Sequence, residues 1–347
     1  MSDCGVEPVA YKHLAHDLGC HARMAWVSQT VVNVGSRLKR VIHRGRVCRQ
    51  RSHTTCAHGA LERRTVRAIS FPGGGILFWW QLGVVQSLRS EYERSGAQIP
   101  LVGASCGAFS ALMLACGVDA FDAYDSVCDL VKRHNVLERG PLGLYGIWSR
   151  LIEEWLDELL ASRNDVEARL ASANMEIRVL HLLDLSRARG SSAQYHVLRR
   201  VAGGMFTERA VSHFVDRHDA IQACLASAHI PFFIDGQPLK RFRSDLWTID
   251  AYAFQHPFAV TWSGTTHSHV GETAQVLAIP RRDTLFIHHE LDGALAHEIK
   301  KQNRYGASVL MSDDQLQFVH LLIASGMEYG TRLKQTISFE IDEAYCS

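Results

Sequence analysis

Several common signatures are missing from this chain of 347 residues, and each absence excludes a class of protein. The nine cysteines include no C-x-x-C pair, which argues against a disulfide scaffold and for a reducing compartment. There is no Walker A motif and no G-x-G-x-x-G after a strand, so nucleotide binding has no support. Because the first twenty residues lack an uninterrupted apolar core, no signal peptide is predicted.

Acidic residues are scarce in residues 21–67, which contain eleven Lys or Arg and one acid, Glu62, for a net charge of +10. This composition is typical of a disordered arm, a targeting peptide or a patch for anionic lipid; a solvated leader without a specific role is an equal alternative. The whole chain carries a net charge of only +1, so nucleic acid is not expected as a partner. We expect an intracellular protein, cytoplasmic or peripheral to a membrane, with organelle targeting by residues 1–65 left open.

Residues 101–118 form an uncharged stretch, but it is not predicted to be a membrane span. Gly and Ser residues interrupt it around Ser105, and its apolar helix covers only about a dozen residues. We therefore predict a buried helix over residues 108–116.

Strand-like and helix-like patterns alternate through the first two thirds of the chain, which favours an α/β fold with a mostly parallel sheet covered on both faces. The other predicted helices are 76–90, 121–133, 148–160, 219–227 and 313–334. The predicted strands are 66–71, 99–102, 177–183, 195–201, 211–215, 246–249, 258–262, 275–279 and 284–287. The apolar stripe of helix 148–160 is predicted to face the core, and a lid that meets lipid is the alternative.

Two glycine motifs follow the first two predicted strands, and each precedes a helix. The second, Gly103-Ala104-Ser105-Cys106-Gly107, is a G-x-S-x-G sequence, typical of the tight turn that presents a nucleophilic serine. The first contains Gly73, Gly74 and Gly75, whose backbone N–H groups could approach a developing oxyanion. We predict Ser105 as the nucleophile, Gly103 and Gly107 as its elbow, and Gly73–Gly75 as the oxyanion hole.

These motifs, together with Gln81-Leu82-Gly83-Val84, resemble the patatin-like phospholipases and acylglycerol lipases from about Val66 to Asp250. The resemblance implies a three-layer α/β sandwich, with residues 66–262 as its catalytic domain. Residues 263–347 would add strands and a helix packed on, or extending, the same domain. It further implies a Ser–Asp dyad that hydrolyses fatty acyl esters of phospholipids or acylglycerols through an acyl-enzyme intermediate. It implies no cofactor and no metal, and a membrane or lipid-droplet surface as the partner.

One departure from the family concerns the residues after the glycines. Many bacterial and plant members have an Arg or Lys there, whereas this chain has Ile76-Leu77-Phe78-Trp79-Trp80, which is closer to the animal acylglycerol lipases. We expect Leu77 to Trp80 to form apolar surface beside the glycines, which favours a lipid ester as substrate.

Two aspartates compete as the base that takes the proton of Ser105. Asp235 is followed by Gly236, as in the family, but it comes only four residues after Pro231. Asp250 is followed by Ala251 instead, yet it ends a strand-like run at the spacing expected for the base. We predict Asp250, with Asp235 as the alternative.

Two further hypotheses differ in mechanism or class. His288 and His289 follow a strand after Asp250, which is the order of a Ser-His-Asp esterase. The change to Ala251 favours a catalytically inactive lipid-binding protein that keeps the fold. Cys106 is interpreted as packing within the elbow, and no metal site is predicted.

Overall fold

A computed structural model describes residues 63–139, 144–182, 196–201, 205–243, 246–252, 260–263, 265–267, 273–275, 279–301 and 313–340. The predicted arm over residues 1–65 lies almost entirely outside these ranges. Residues 258, 259 and 276–278, which belong to two predicted strands, also lie outside them.

The described residues form strands and helices that alternate along most of the chain. The helices are α1 (Phe78–Arg94), α2 (Cys106–Ala115), α3 (Ala120–Arg133), α4 (Trp148–Ala161), α5 (Val166–Ser172), α6 (Arg217–Ser227), α7 (Gly293–Lys301) and α8 (Asp313–Thr336). The first six strands are β1 (Arg64–Val66), β2 (Ala68–Phe71), β3 (Leu101–Ala104), β4 (Met175–Leu182), β5 (His196–Val201) and β6 (Phe206–Val211). The remaining strands are β7 (Lys240–Phe242), β8 (Leu246–Ile249), β9 (Thr265–His267), β10 (Thr273–Gln275), β11 (Thr284–Phe286) and β12 (Ile337–Phe339).

The central sheet has eight strands in the order β11-β2-β3-β4-β6-β5, with β8 paired to β4 and β7 to β8. Strands β11, β2, β3 and β4 are parallel neighbours, while β6 and β8 each run antiparallel to the strands they pair with. Six of the eight strands therefore point the same way. This mixed, mostly parallel sheet with its helices confirms the predicted α/β three-layer sandwich.

Side chains from the two faces of the sheet enter separate hydrophobic clusters. Ile69 and Phe71 of β2 pack with the helices in the larger cluster. Val102 and Ala104 of β3 pack on the other face, in a cluster that includes Ala251. Because successive strand residues face opposite sides, β2 and β3 are buried on both faces and end beside each other.

Two helix predictions concerned burial, and the structure confirms both. Every residue of α2 is buried, as expected for a helix behind the elbow. The stripe of α4 faces the core, through the buried residues Leu151, Trp155, Leu156, Leu159 and Leu160. Among the helices in the described part of the chain, none has the length and apolar character required to span a membrane.

Some predicted boundaries were wrong because pairing outweighed local pattern. The strand predicted over residues 211–215 is instead β6, which ends at Val211. The charged residue Glu208 interrupts the apolar pattern expected of a buried strand, so β6 was not recognised. The Glu208 side chain is nevertheless buried where β6 pairs with β4 and β5. Residues 260–263 form no strand, although 258–262 was predicted as one. The short strands β1, β7, β9 and β12 were not predicted.

Candidate active site

The serine of the G-x-S-x-G motif lies in a strained turn between β3 and α2. Ser105 has φ 55° and ψ −130°, a conformation that non-glycine residues rarely adopt and that costs about 1–3 kcal/mol. A Cβ on Gly107 would collide with the carbonyl of Phe71, and one on Gly103 would lie 2.6 Å from Cα of Ala108. These close approaches hold α2 against β2 and β3, so glycine is required on both sides of Ser105.

Among the described residues, the hydrogen-bond partner of the Ser105 side chain is the carboxylate of Asp250. Ser105 Oγ donates to Asp250 Oδ2 at 2.6 Å. The other carboxylate oxygen, Oδ1, accepts from the backbone N–H of Tyr252 at 2.7 Å, which fixes the orientation of the carboxylate. Asp250 follows β8, and its own N–H donates to the carbonyl of His229 at 2.7 Å. The arrangement is a hydroxyl held against an oriented acceptor, as general-base catalysis requires.

Asp235 lies in a different environment. Its Oδ1 accepts from the N–H of Gln237 at 2.9 Å, across a turn in which Gly236 has φ 78°. Its Oδ2 lies 3.8 Å from Nδ1 of the buried His229. These contacts are those of a turn aspartate, and Asp235 has no hydrogen bond to Ser105.

Ala251, which follows Asp250 where Gly236 follows Asp235, fits its position without strain. Among the described residues, the non-glycine residues with positive φ are Ala97, Ser105, Asn135, Phe232 and Arg243, and Ala251 is not one of them. Its methyl group is fully buried in the cluster on the second face of the sheet. No left-handed conformation demands glycine there.

Ser227, which sequence reasoning did not single out as functional, links the two halves of the site. Its Oγ accepts the N–H of Ser105 at 2.9 Å and donates to the carbonyl of Arg178 at 2.6 Å. Its carbonyl accepts the N–H of Ala251 at 2.8 Å. One buried residue at the end of α6 therefore fixes the elbow relative to the segment that carries Asp250.

The glycine loop follows β2 and leads into a 3₁₀ turn, Gly75–Leu77. Gly75 has φ 59° and is exposed, whereas Gly73 is buried. A Cβ on Gly73 would lie 2.6 Å from Cγ of Tyr252, so the ring of Tyr252 packs directly on the loop backbone. The same residue thus contacts both the glycine loop and, through its N–H, the Asp250 carboxylate.

The side chain of Gln81 on α1 anchors the glycine loop by hydrogen bonds. Its side-chain amide donates to the carbonyls of Pro72 at 2.7 Å and Ile287 at 3.1 Å. Its amide oxygen accepts from Ser110 Oγ of α2 at 2.8 Å. All these groups are buried, so the network positions the loop rather than binding solvent.

His288 and His289 lie near the glycine loop but do not contact Ser105 Oγ. His288 Nε2 lies 3.4 Å from the Tyr252 hydroxyl, and its Nδ1 lies 3.4 Å from the Glu290 N–H. The ring of His289 packs against that of His288 at 4.3 Å, and its burial lowers the pKa of His289 to about 4. Ligand-type atoms of His288, His289 and Glu290 lie within 4.8 Å of one another, which makes them a group in the described residues that could hold a metal ion.

The residues expected to form apolar surface beside the glycines are in the core instead. Leu77, Phe78, Trp79 and Trp80 are at most 9% exposed, so this prediction was wrong. The Phe78 ring meets Trp155 edge-on at 6.0 Å, and the Trp80 indole N–H donates to Asp292 at 3.1 Å. Their apolar character stabilises the packing of α1 against α4 and the C-terminal segment.

Comparison with known families supplies an independent observation. The family model described as patatin-like phospholipase matches residues 69–260, which is more than half of the chain. The matched range includes the glycine loop, the elbow, Ser227, Asp235 and Asp250. Comparison with curated proteins gives no significant match.

Proposed function

The chain belongs to the patatin-like phospholipase family, whose model spans the site described above, and we propose that it cleaves fatty acyl esters with a Ser105–Asp250 dyad. Family membership supports lipid acyl hydrolysis in general and lipid as the substrate class. The observation that carries the finer proposal is the 2.6 Å hydrogen bond from Ser105 Oγ to Asp250 Oδ2.

In the proposed first half-reaction, Ser105 Oγ bonds to the acyl carbon while its proton passes to Asp250 Oδ2. The carbonyl oxygen becomes an oxyanion, which the backbone N–H groups of the Gly73–Gly75 loop stabilise. Collapse of the tetrahedral intermediate breaks the ester C–O bond. The alcohol leaves with the proton from Asp250, and the acyl group stays on Ser105.

In the second half-reaction, water takes the place of the alcohol. Asp250 accepts a proton from the water as its oxygen bonds to the acyl carbon. The C–O bond to Ser105 then breaks, the proton returns to Ser105 Oγ, and the fatty acid leaves. The Tyr252 N–H keeps the carboxylate oriented through both halves.

Labelling with a long-chain fluorophosphonate probe tests this proposal. The wild-type protein should form an adduct at Ser105 and should release fatty acid from a phospholipid or an acylglycerol, and Ser105→Ala should do neither. Absence of an adduct and of hydrolysis in the wild type would favour the inactive lipid-binding alternative. Labelling of Ser105 that His288→Ala or His289→Ala abolishes would favour the triad alternative.

We further propose that the basic segment, residues 21–67, brings the enzyme to an anionic lipid surface as a peripheral protein. Co-sedimentation with anionic vesicles should fall when residues 21–62 are deleted. The attraction should weaken with salt, because exposed charges are screened within about 10 Å at 0.1 M ionic strength. Equal binding with and without the segment, or binding that salt does not affect, would contradict this part of the proposal.

A further inference from the structure

Cys106, the residue after Ser105, contacts the glycine loop as well as the elbow. It is the first residue of α2, and its side chain is 8% exposed. Its Sγ accepts the backbone N–H of Gly74 at 3.0 Å. An amide of the loop proposed to bind the oxyanion is thus engaged by a sulfur atom beside the nucleophile.

The chemistry of that sulfur makes it a weak, uncharged acceptor. Burial and the nearby Asp250 carboxylate raise the pKa of the Cys106 thiol to about 12, although the amides of Gly74 and Gly75 act in the opposite direction. The group is therefore a neutral thiol near pH 7. A thiol sulfur accepts hydrogen bonds weakly, whereas an oxyanion accepts them strongly.

We propose that Cys106 is a positioning residue for the oxyanion loop: its Sγ holds the Gly74 N–H toward the elbow in the resting enzyme and yields it to the oxyanion. This inference rests on the proposed function of Ser105 and the glycine loop. Interactions accelerate a reaction only when they are stronger in the transition state than in the ground state. Exchange of a weak N–H···S contact for a charged N–H···O⁻ contact meets that condition.

The contact also orders the loop before the reaction begins. Gly74 is partly exposed and Gly75 is exposed, and neither has a side chain to anchor it. Without the sulfur, the Gly74 N–H would turn toward water and would have to reorient in each catalytic cycle. An acceptor at residue 106 therefore matters more than the volume of its side chain.

The test compares variants that differ in acceptor and in size. Cys106→Ala and Cys106→Val remove the acceptor with a smaller and a larger side chain, and Cys106→Ser keeps one. Cys116→Ala is the matched control, because Cys116 is a fully buried thiol at the far end of α2 whose N–H and thiol have no contact with the loop. All variants are assayed as the full chain with a water-soluble short-chain ester.

We expect Cys106→Ala and Cys106→Val to lower kcat about tenfold with KM within about twofold, since loss of a whole oxyanion donor typically costs about 10²–10³. Cys106→Ser should retain most of kcat, and Cys116→Ala all of it. A trifluoromethyl ketone, which forms an oxyanion on attack by Ser105, should bind the acceptor-free variants about tenfold more weakly. The corresponding methyl ketone should bind all variants equally.

Three results would overturn the proposal. One is a kcat of Cys106→Ala or Cys106→Val equal to that of Cys116→Ala. Another is an equal loss of affinity for both ketones, which indicates only a structural defect. The third is a Cys106→Ser variant as impaired as Cys106→Val. If Cys106→Ala does not fold, Cys106→Val and Cys106→Ser decide by the same criteria. Wild-type protein that neither hydrolyses the ester nor binds the trifluoromethyl ketone preferentially would instead refute the proposed function itself.

Discussion

Asp235 and Asp250 both follow helix α6, yet their carboxylates have different neighbours. Asp250, which follows β8, accepts hydrogen bonds from the Ser105 hydroxyl and the Tyr252 N–H, and its own N–H donates to the carbonyl of His229. Asp235 is bonded to the N–H of Gln237 within its own turn and faces the His229 ring. One carboxylate is therefore set by long-range contacts and the other by local ones.

On the proposed assignment of Asp250 as the base, the difference teaches which features of a sequence locate such a residue. The glycine after Asp235 allows the positive φ of a turn, a local property that many turns share. The position of Asp250 depends on β8, which pairs with β4 and thereby brings its carboxyl end near the elbow. The position of an aspartate at the end of a sheet strand is then a better indicator of the base than a following glycine.

The largest expected difference between the two regions is in the rate of ester hydrolysis. Asp250→Asn should lower kcat by about 10²–10⁴, because the amide cannot accept the Ser105 proton. Asp235→Asn should change kcat less than about twofold, because Asp235 does not contact Ser105. Initial rates on the same soluble ester, with circular dichroism to check folding, compare them. A reversed ranking would assign the base to Asp235.

Next in size is the effect of removing the link between the two regions. Ser227→Ala leaves the Ser105 N–H without its acceptor and should lower kcat about ten- to hundredfold, because small displacements of reacting groups are costly. Ser87→Ala is the control, since Ser87 Oγ also donates to a backbone carbonyl, that of Met327, in a partly buried hydrogen bond that involves no residue of the site. Equal kcat values for the two variants would mean that Ser227 has only a stabilising role.

A smaller effect is expected at Ala251, the residue that follows Asp250. Because Ala251 has an ordinary φ, Ala251→Gly should change kcat by less than about twofold. It should lower stability by roughly 0.5–1 kcal/mol, through the added freedom of the unfolded chain, with a further loss from the buried methyl group. Assay and thermal unfolding measure the two effects separately. A large gain in turnover would show that the alanine restrains the site.

The smallest effect on catalysis, but a distinct one on stability, concerns His229 beside Asp235. Burial lowers the pKa of His229 to about 4 from 6.5, with Lys240 acting in the same direction and Asp235 in the opposite one. Between these values the unfolded chain binds a proton that the folded chain does not. The free energy of unfolding should therefore decrease as the pH is lowered from about 6.5 to about 4. This group contributes at most roughly 3 kcal/mol to the decrease.

Urea unfolding between pH 7 and pH 4.5 measures that slope. His229→Gln should flatten it, while His218→Gln, at an exposed histidine, should not. His289 contributes in the same direction, because its burial also lowers its pKa to about 4. Asp235→Asn should steepen the decline at the acidic end, because removal of the carboxylate lowers the pKa of His229 further. An unchanged slope in His229→Gln would assign the acid sensitivity to other groups.

Local patterns predicted the parts of the site that lie within one strand-turn-helix unit. Ser105 and its flanking glycines follow from spacing alone, and the α/β architecture follows from the alternation of elements. Ser227 and Gln81 could not be found in this way, because each acts on groups distant in sequence. The exposure predicted for Leu77 to Trp80 was wrong for a related reason. An apolar run in the sequence does not distinguish a buried core segment from an apolar surface.

The pairing of β1 with β12 has a consequence for the order in which the molecule is assembled. These strands are parallel, with Arg64 opposite Ile337 and Val66 opposite Phe339. β3, β4 and β8, which carry or support Ser105 and Asp250, precede residue 253 and can associate on the growing chain. β1 finds its partner only after residues 337–339 have been synthesised, and this long-range contact carries a large loop-closure entropy. The pairing of β1, which lies at the carboxyl end of the basic segment, is therefore among the last contacts to form.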